Sequence, residues 1–195
     1  MTHTSIPVHT IYYVSSNEGK YLEVTRFLDE YAPFIKLYHH KIELDELQSL
    51  DEKEVLRHKA EQAWNVLKKP LLIDDAGCYL HAYPRFPGTI SKPVFETLGY
   101  EGIARLTAED KRVEFYAGMV YVDEYGALHY FRGSTQGHMV SDQGVPIPFT
   151  FGFYKYFQPE GLSLTYAQLW DDSKAWKYFG RVKAAQQFAD WLKDH

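Results

Sequence analysis

Apolar positions along the chain follow two periods, and the changes of period mark out the elements. Ile11-Tyr12-Tyr13-Val14 is a short apolar run of strand type. A turn of small polar residues, Ser15-Ser16-Asn17-Glu18-Gly19-Lys20, separates it from apolar positions 21, 24, 27 and 28, which have helical spacing. Between Asp51 and Lys69 the residues Val55, Leu56, Ala60, Ala63, Trp64 and Leu67 form one stripe, and Asp51 with Glu54 three residues on predicts a capping box. Leu71-Leu72-Ile73 reads as a short buried strand with Asp74 and Asp75 emerging where it ends. Arg112 to Val122 and Ala127 to Gly133 are β-rich runs flanking Asp123-Glu124-Tyr125-Gly126, a hairpin pattern. Val182, Ala185, Phe188, Ala189 and Leu192 make Arg181 to Lys193 a closing amphipathic helix. Helix-linked strands followed by a hairpin predict an α/β fold with a mixed sheet and a central cleft.

Composition narrows the class. A chain of 195 residues, 45% hydrophobic, buries a sizeable core as one domain, residues 1–195, and shows no linker or low-complexity stretch. A net charge of -5 without a Lys/Arg block gives no footprint for a nucleic-acid polymer, so a free nucleotide is the better partner. Cys78 is the single cysteine, which excludes an intramolecular disulfide and favours a reducing compartment. No run approaches 18 apolar residues and the first ten residues lack a signal-peptide pattern. The expectation is a soluble, cytoplasmic protein without a membrane partner.

Chemistry concentrates in the first eighty residues. The Ser15–Lys20 turn opens a helix whose first amides and positive dipole end hold anions. Glu43-Leu44-Asp45-Glu46-Leu47-Gln48 is an acidic cluster, and Asp74-Asp75 is a carboxylate pair. Adjacent residues on a strand point to opposite faces, so one aspartate can hold a divalent cation while the other braces the loop. Hard oxygen ligands select Mg²⁺, or Mn²⁺. Together these segments read as a metal-assisted phosphoanhydride site. The nine histidines show no zinc spacing, no Gly-x-Ser-x-Gly elbow occurs, and Cys78 reads as packing.

The motifs resemble those of the inosine triphosphate pyrophosphatase family, which hydrolyses aberrant purine nucleoside triphosphates to monophosphate and pyrophosphate. Its Thr-Gly-Asn-x-x-Lys is similar to Ser15–Lys20, its Lys-Ile-Asp-Leu-x-Glu-x-Gln to Lys41–Gln48, and its acidic pair before Ser/Thr-Gly to Asp74-Asp75-Ala76-Gly77. Phe86-Pro87-Gly88, Phe131-Arg132-Gly133-Ser134-Thr135, Phe151-Gly152-Phe153 and Phe157-x-Pro159-Glu160-Gly161 with Thr165-Tyr166-Ala167 follow in the family's order. The resemblance implies an elongated mixed sheet with helices around two lobes, a nucleotide cleft between them, and a homodimer. It implies that Glu46 and Asp75, with Asp74, hold the metal. Asp75 would be the general base, and Lys20 would share the catalytic work. Ser15, Ser16, Asn17, Lys20 and Lys59 would contact the phosphates, and Lys92 falls near another family lysine. Phe151, Gly152, Phe153 and Tyr154 would line the base pocket.

This sequence departs from the family at the base end. Tyr154 stands where the family has an aspartate, and Lys174-Ala175-Trp176-Lys177-Tyr178-Phe179-Gly180-Arg181 replaces Lys-x-x-x-Ser-His-Arg with one inserted residue and no histidine. Ala76 replaces a hydroxyl residue, and Ser15-Ser16 replaces Thr-Gly. Phe153 or Tyr154 should then stack on or flank the base, with Lys174 and Arg181 as the remaining donors. The expected function is pyrophosphohydrolysis with an altered base preference. The alternatives are a pyrophosphatase for a modified pyrimidine nucleotide and a catalytically weak nucleotide-binding or sensing protein.

Overall fold

The computed structural model describes residues 7–146 and 152–195. Strand β1 (His9–Val14) runs into helix α1 (Glu18–Tyr31), where the Asn17 side chain accepts from the amides of Gly19 and Lys20 and so caps the helix. Strand β2 (Ile35–His40) returns parallel to β1. An irregular stretch, 41–50, leads to α2 (Glu52–Leu67), capped by the Asp51 carboxylate on the amides of Lys53 and Glu54. The reciprocal half of the expected capping box is made through Ser49, whose hydroxyl donates to Glu54 and accepts from the Asp51 amide.

Strand β3 (Leu71–Leu80) is ten residues long. The acidic pair therefore lies inside the strand and not at its end, because every residue from Leu71 to Leu80 is in antiparallel register with β5 (Arg112–Val122). After β4 (Pro87–Gly88) and α3 (Ser91–Leu106), β5 pairs with β6 (Leu128–Met139) as the expected hairpin, longer than its β-rich core. Strand β7 (Phe157–Pro159), the single turn α4 (Tyr166–Leu169) and α5 (Gly180–Lys193) complete the order. The sheet runs β2-β1-β3-β5-β6-β7, with β2, β1 and β3 parallel, β3, β5, β6 and β7 antiparallel, and the short β4 antiparallel on β3. It is the mixed sheet the pattern predicts.

Strand pleat sorts the side chains onto two cores. Val14, Leu71, Ile73, Val120 and Val122 pack against Leu56, Ala60 and Ala63 of α2. Ile11, Tyr13, Leu72, Met119 and Tyr121 pack against α1 and α5 through Val24, Phe27, Leu28, Val182, Ala185 and Phe188. Gly133 explains how closely α5 sits on β6: a Cβ there would lie 2.2 Å from the Gly180 carbonyl oxygen. No helix among the described residues is long and apolar enough to cross a membrane.

Candidate active site

The alternation that sorts the cores also splits the acidic pair. Asp75 continues the Leu71–Ile73 face toward α2, and Asp74 continues the Leu72 face toward α1 and α5. Lys59 of α2 reaches Asp75 Oδ1 at 2.9 Å and Glu46 Oε1 at 3.4 Å. Burial works against the Lys59 ammonium, but Asp75 and then Glu46 outweigh it and hold its pKa above the ordinary lysine value. Glu46 lies in the irregular stretch, which Gln62 ties to α2: its side chain accepts from the Asp45 amide and donates to the Asp45 carbonyl. Asp75 Oδ2 makes no hydrogen bond among the described residues.

Asp74 is buried with both oxygens engaged. Its Oδ1 accepts from the Tyr13 hydroxyl, and its Oδ2 lies 2.8 Å from Arg181 Nε and 3.3 Å from Lys20 Nζ. Burial alone would raise its pKa, yet Lys20 and then Arg181 hold the carboxyl well below the usual range. Arg181 is only 6% exposed. Its Nη1 donates to Glu23 Oε2 at 2.5 Å and to the Tyr154 hydroxyl at 3.2 Å. Tyr154 in turn donates to the same Glu23 oxygen. Glu23 Oε1 is buried with no hydrogen-bond partner among the described residues. Burial pushes the Glu23 carboxyl up despite Arg181 and Tyr154. Two buried carboxylates thus face one buried guanidinium, whose Nη2 alone has no partner among the described residues.

Lys59, Asp75, Glu46, Asp74, Lys20, Tyr154 and Arg181 border one cleft of about 320 Å³, within the usual size of a small-molecule site. Its lining includes Ser15, Ser16, Asn17, Lys20, Lys59 and Lys92 with Asp75 and Glu46, and the aromatic side chains of Phe115, Tyr116, Tyr154 and Tyr166 with Arg181. The cations and loop amides suit an anionic group, and the aromatic side chains suit a flat ring.

The family model described as the Ham1 family matches residues 11–191. The chain belongs to the Ham1 family. It is 31% identical over 186 residues to a dITP/XTP pyrophosphatase of Thermococcus kodakarensis, covering 94% of this chain and 97% of that one. It is 32% identical over 171 residues to an inosine triphosphate pyrophosphatase of Yarrowia lipolytica, covering 85% and 86%. Among solved structures, a HAM1 protein from Coxiella burnetii superposes with a TM-score of 0.73 at 21% identity, covering 95% of this chain and 99% of that one. The Staphylococcus aureus Ham1 protein gives 0.71 at the same identity and coverage. The fold is the Ham1 fold, and the family is the one the sequence motifs resemble.

Against that family frame, several expected site residues sit elsewhere in this chain. Lys174 is exposed on a 3-10 segment, Ser173–Tyr178, capped by the Asp172 side chain on its backbone amide, and does not border the cleft. Phe153 is fully buried against Phe95 and Phe115, with ring centroids 4.1 and 5.4 Å away, and is core. Gly152 packs on Phe95 away from the cleft, and Phe151 lies outside the described residues. Arg181 borders the cleft with its charge balanced by Glu23 and Asp74, which leaves Nη2 as its one nitrogen without a partner among the described residues. Both oxygens of Asp74 are already held by Tyr13, Arg181 and Lys20, unlike the open Oδ2 of Asp75. Sequence reasoning missed Tyr13 and Glu23. Glu23 was findable: it falls between Gly19 and Phe27 at four-residue intervals on the buried face of α1, where a carboxylate requires a cationic partner.

Proposed function

We propose that this chain hydrolyses a nucleoside triphosphate to the monophosphate and pyrophosphate in the cleft described above. The observation that carries the reading is the meeting of Asp75 and Glu46 on the single ammonium of Lys59, beside the Ser15–Asn17 loop and Lys20. The names of the Ham1 relatives, dITP/XTP pyrophosphatase and inosine triphosphate pyrophosphatase, support it.

The donor set fits Mg²⁺, with Mn²⁺ as the close substitute. No cluster of three metal-ligating side chains occurs among the described residues. Mg²⁺ needs none: it binds one or two carboxylates and takes its other oxygens from phosphates and water. Asp75 and Glu46 already converge on one cationic centre and would hold it, whereas Asp74 would not. When bound, the cation neutralises charge on the phosphate oxygens. The protein's own groups supply the rest. Loop amides, the side-chain amide nitrogen of Asn17 and Lys20 hold the phosphates. Lys59 orients Asp75 through its hydrogen bond to Oδ1, and Asp75 Oδ2, unpartnered among the described residues, accepts a proton from the attacking water. Lys92 borders the cleft, with its ammonium 4.0 Å from Glu96, and adds positive charge at the phosphate end.

At the base end Tyr154 flanks the ring and Arg181 Nη2 is the remaining donor. Aromatic contact is tolerant of the base, whereas strong rejection needs polar groups left unpaired by the wrong base. The base preference is accordingly shallow. On the same reading the protein works in the cytoplasm as a homodimer, which light scattering tests. The test of function is pyrophosphate release across standard, deaminated and oxidised nucleoside triphosphates, with Mg²⁺ and with EDTA. Release from at least one triphosphate, abolished by EDTA and restored by Mg²⁺, is expected. Binding without release would make the chain a nucleotide-sensing protein.

A further inference from the structure

The loop that follows β1 is fastened from outside the cleft by a residue of β2. The Ser15 amide continues the parallel ladder to the His40 carbonyl at 3.3 Å. The Ser15 carbonyl meets His39 Nε2 at 2.8 Å. A carbonyl only accepts, so Nε2 carries the proton, as it does in one neutral tautomer and in the imidazolium alike. The His39 ring lies flat on Tyr21 in the first turn of α1, 4.5 Å between centroids and 10° between planes. Tyr21 donates back to the Leu37 carbonyl on β2. One side chain therefore grips both sides of the loop, the strand exit through Ser15 and the helix entry through Tyr21. The grip extends inward: Ser15 Oγ accepts from the Asn17 amide at 3.1 Å, and Asn17 caps α1.

We propose that His39 is a positioning residue that fixes the Ser15–Asn17 loop for the triphosphate, a role that rests on the function proposed above. His39 does not border the cleft, so it acts through the loop. A loop held in its binding shape before the ligand arrives loses less freedom on binding, and that benefit falls on affinity. Removing it raises KM and leaves kcat nearly unchanged, the pattern of lost uniform binding.

Two variants separate the contacts. His39→Phe keeps a flat ring on Tyr21 and removes the N–H, whereas His39→Gln keeps an N–H within reach of Ser15 and removes the ring. Both are measured for calorimetric binding of a non-hydrolysable triphosphate analogue with Mg²⁺ and of inorganic pyrophosphate, for kcat and KM, and for thermal midpoint. His39→Phe is expected to weaken binding and raise KM about five- to tenfold, the loss of roughly one hydrogen bond, with kcat within about twofold and the midpoint held. His39→Gln is expected to recover most of that loss. Wild-type affinity in His39→Phe, equal losses in both variants, or losses that track a lowered midpoint would overturn the proposal. A wild type that binds the analogue but releases no pyrophosphate defeats the proposed hydrolysis and leaves the affinity comparison to decide His39. One that binds neither probe defeats both.

Discussion

On the proposed function, a single carboxylate oxygen, Asp75 Oδ2, separates a phosphate-binding cleft from a hydrolytic one. Asp75→Asn is nearly isosteric and leaves Glu46 on Lys59, so the fold should survive while turnover falls about 10²- to 10⁴-fold, the usual worth of a general base. Pyrophosphate-release kinetics with a parallel unfolding curve check this, and near wild-type turnover would remove Asp75 from the mechanism. Cys78 makes the opposite case. Burial pushes its thiol up to about 12, with Ser91 opposing, so it should resist alkylation at pH 8 in the folded protein and react once denaturant unfolds it. Lys174 was legible as a lysine in register with a family motif, but sequence register does not show a capped 3-10 turn carrying it along the surface. Lys174→Ala should consequently leave the ratio of specificity constants for inosine and adenosine triphosphates unchanged. A wild-type ratio above about a thousandfold, roughly 4 kcal/mol, would show that the pocket reads the base by other means.

At the level of elements, α1, β3 and α5 are joined by ions as well as by apolar packing. Arg181→Met removes the cation between Glu23 and Asp74, and breaking such a buried arrangement from one side costs about 3–5 kcal/mol. Denaturant unfolding of Arg181→Met measures it, and a loss below about 1 kcal/mol would mean that water or Lys20 compensates. The helices of this assembly were legible in the sequence because caps and stripes are local: Asn17, Asp51 and the α5 stripe each act within a few residues. The length of β3 was not. Asp is poorly suited to strand interiors, and Asp74-Asp75 reads as a terminator until Arg181 and Lys59, both distant in sequence, neutralise the pair on its two faces. Phe153 and Tyr154 posed the same difficulty, since adjacent aromatics look alike in sequence and only packing sends one to the core and the other to the cleft.

For the whole molecule the buried charges set the response to acid. Asp74 has a folded pKa depressed below its unfolded value of 3.8, so its contribution is complete above that value and is lost as pH falls through the folded one. Glu23 has the opposite sign: its folded pKa lies above 4.5, so its protonation favours the fold at low pH and that benefit fades as pH rises. Chemical denaturation between pH 2 and pH 6 should show stability falling below about pH 4, and Asp74→Asn should flatten that limb by a few kcal/mol. An unchanged acid limb would place the acid sensitivity elsewhere. The same ions bear on how the protein is made. Glu23 and Asp74 leave the ribosome long before Arg181, 158 and 107 residues ahead of their common cation. Until the last helix docks, a nascent chain has two carboxylates that it cannot bury together. On the proposed function, the cleft would be completed only when α5 brings Arg181 to them, and a chain still without it would not begin to hydrolyse nucleotides.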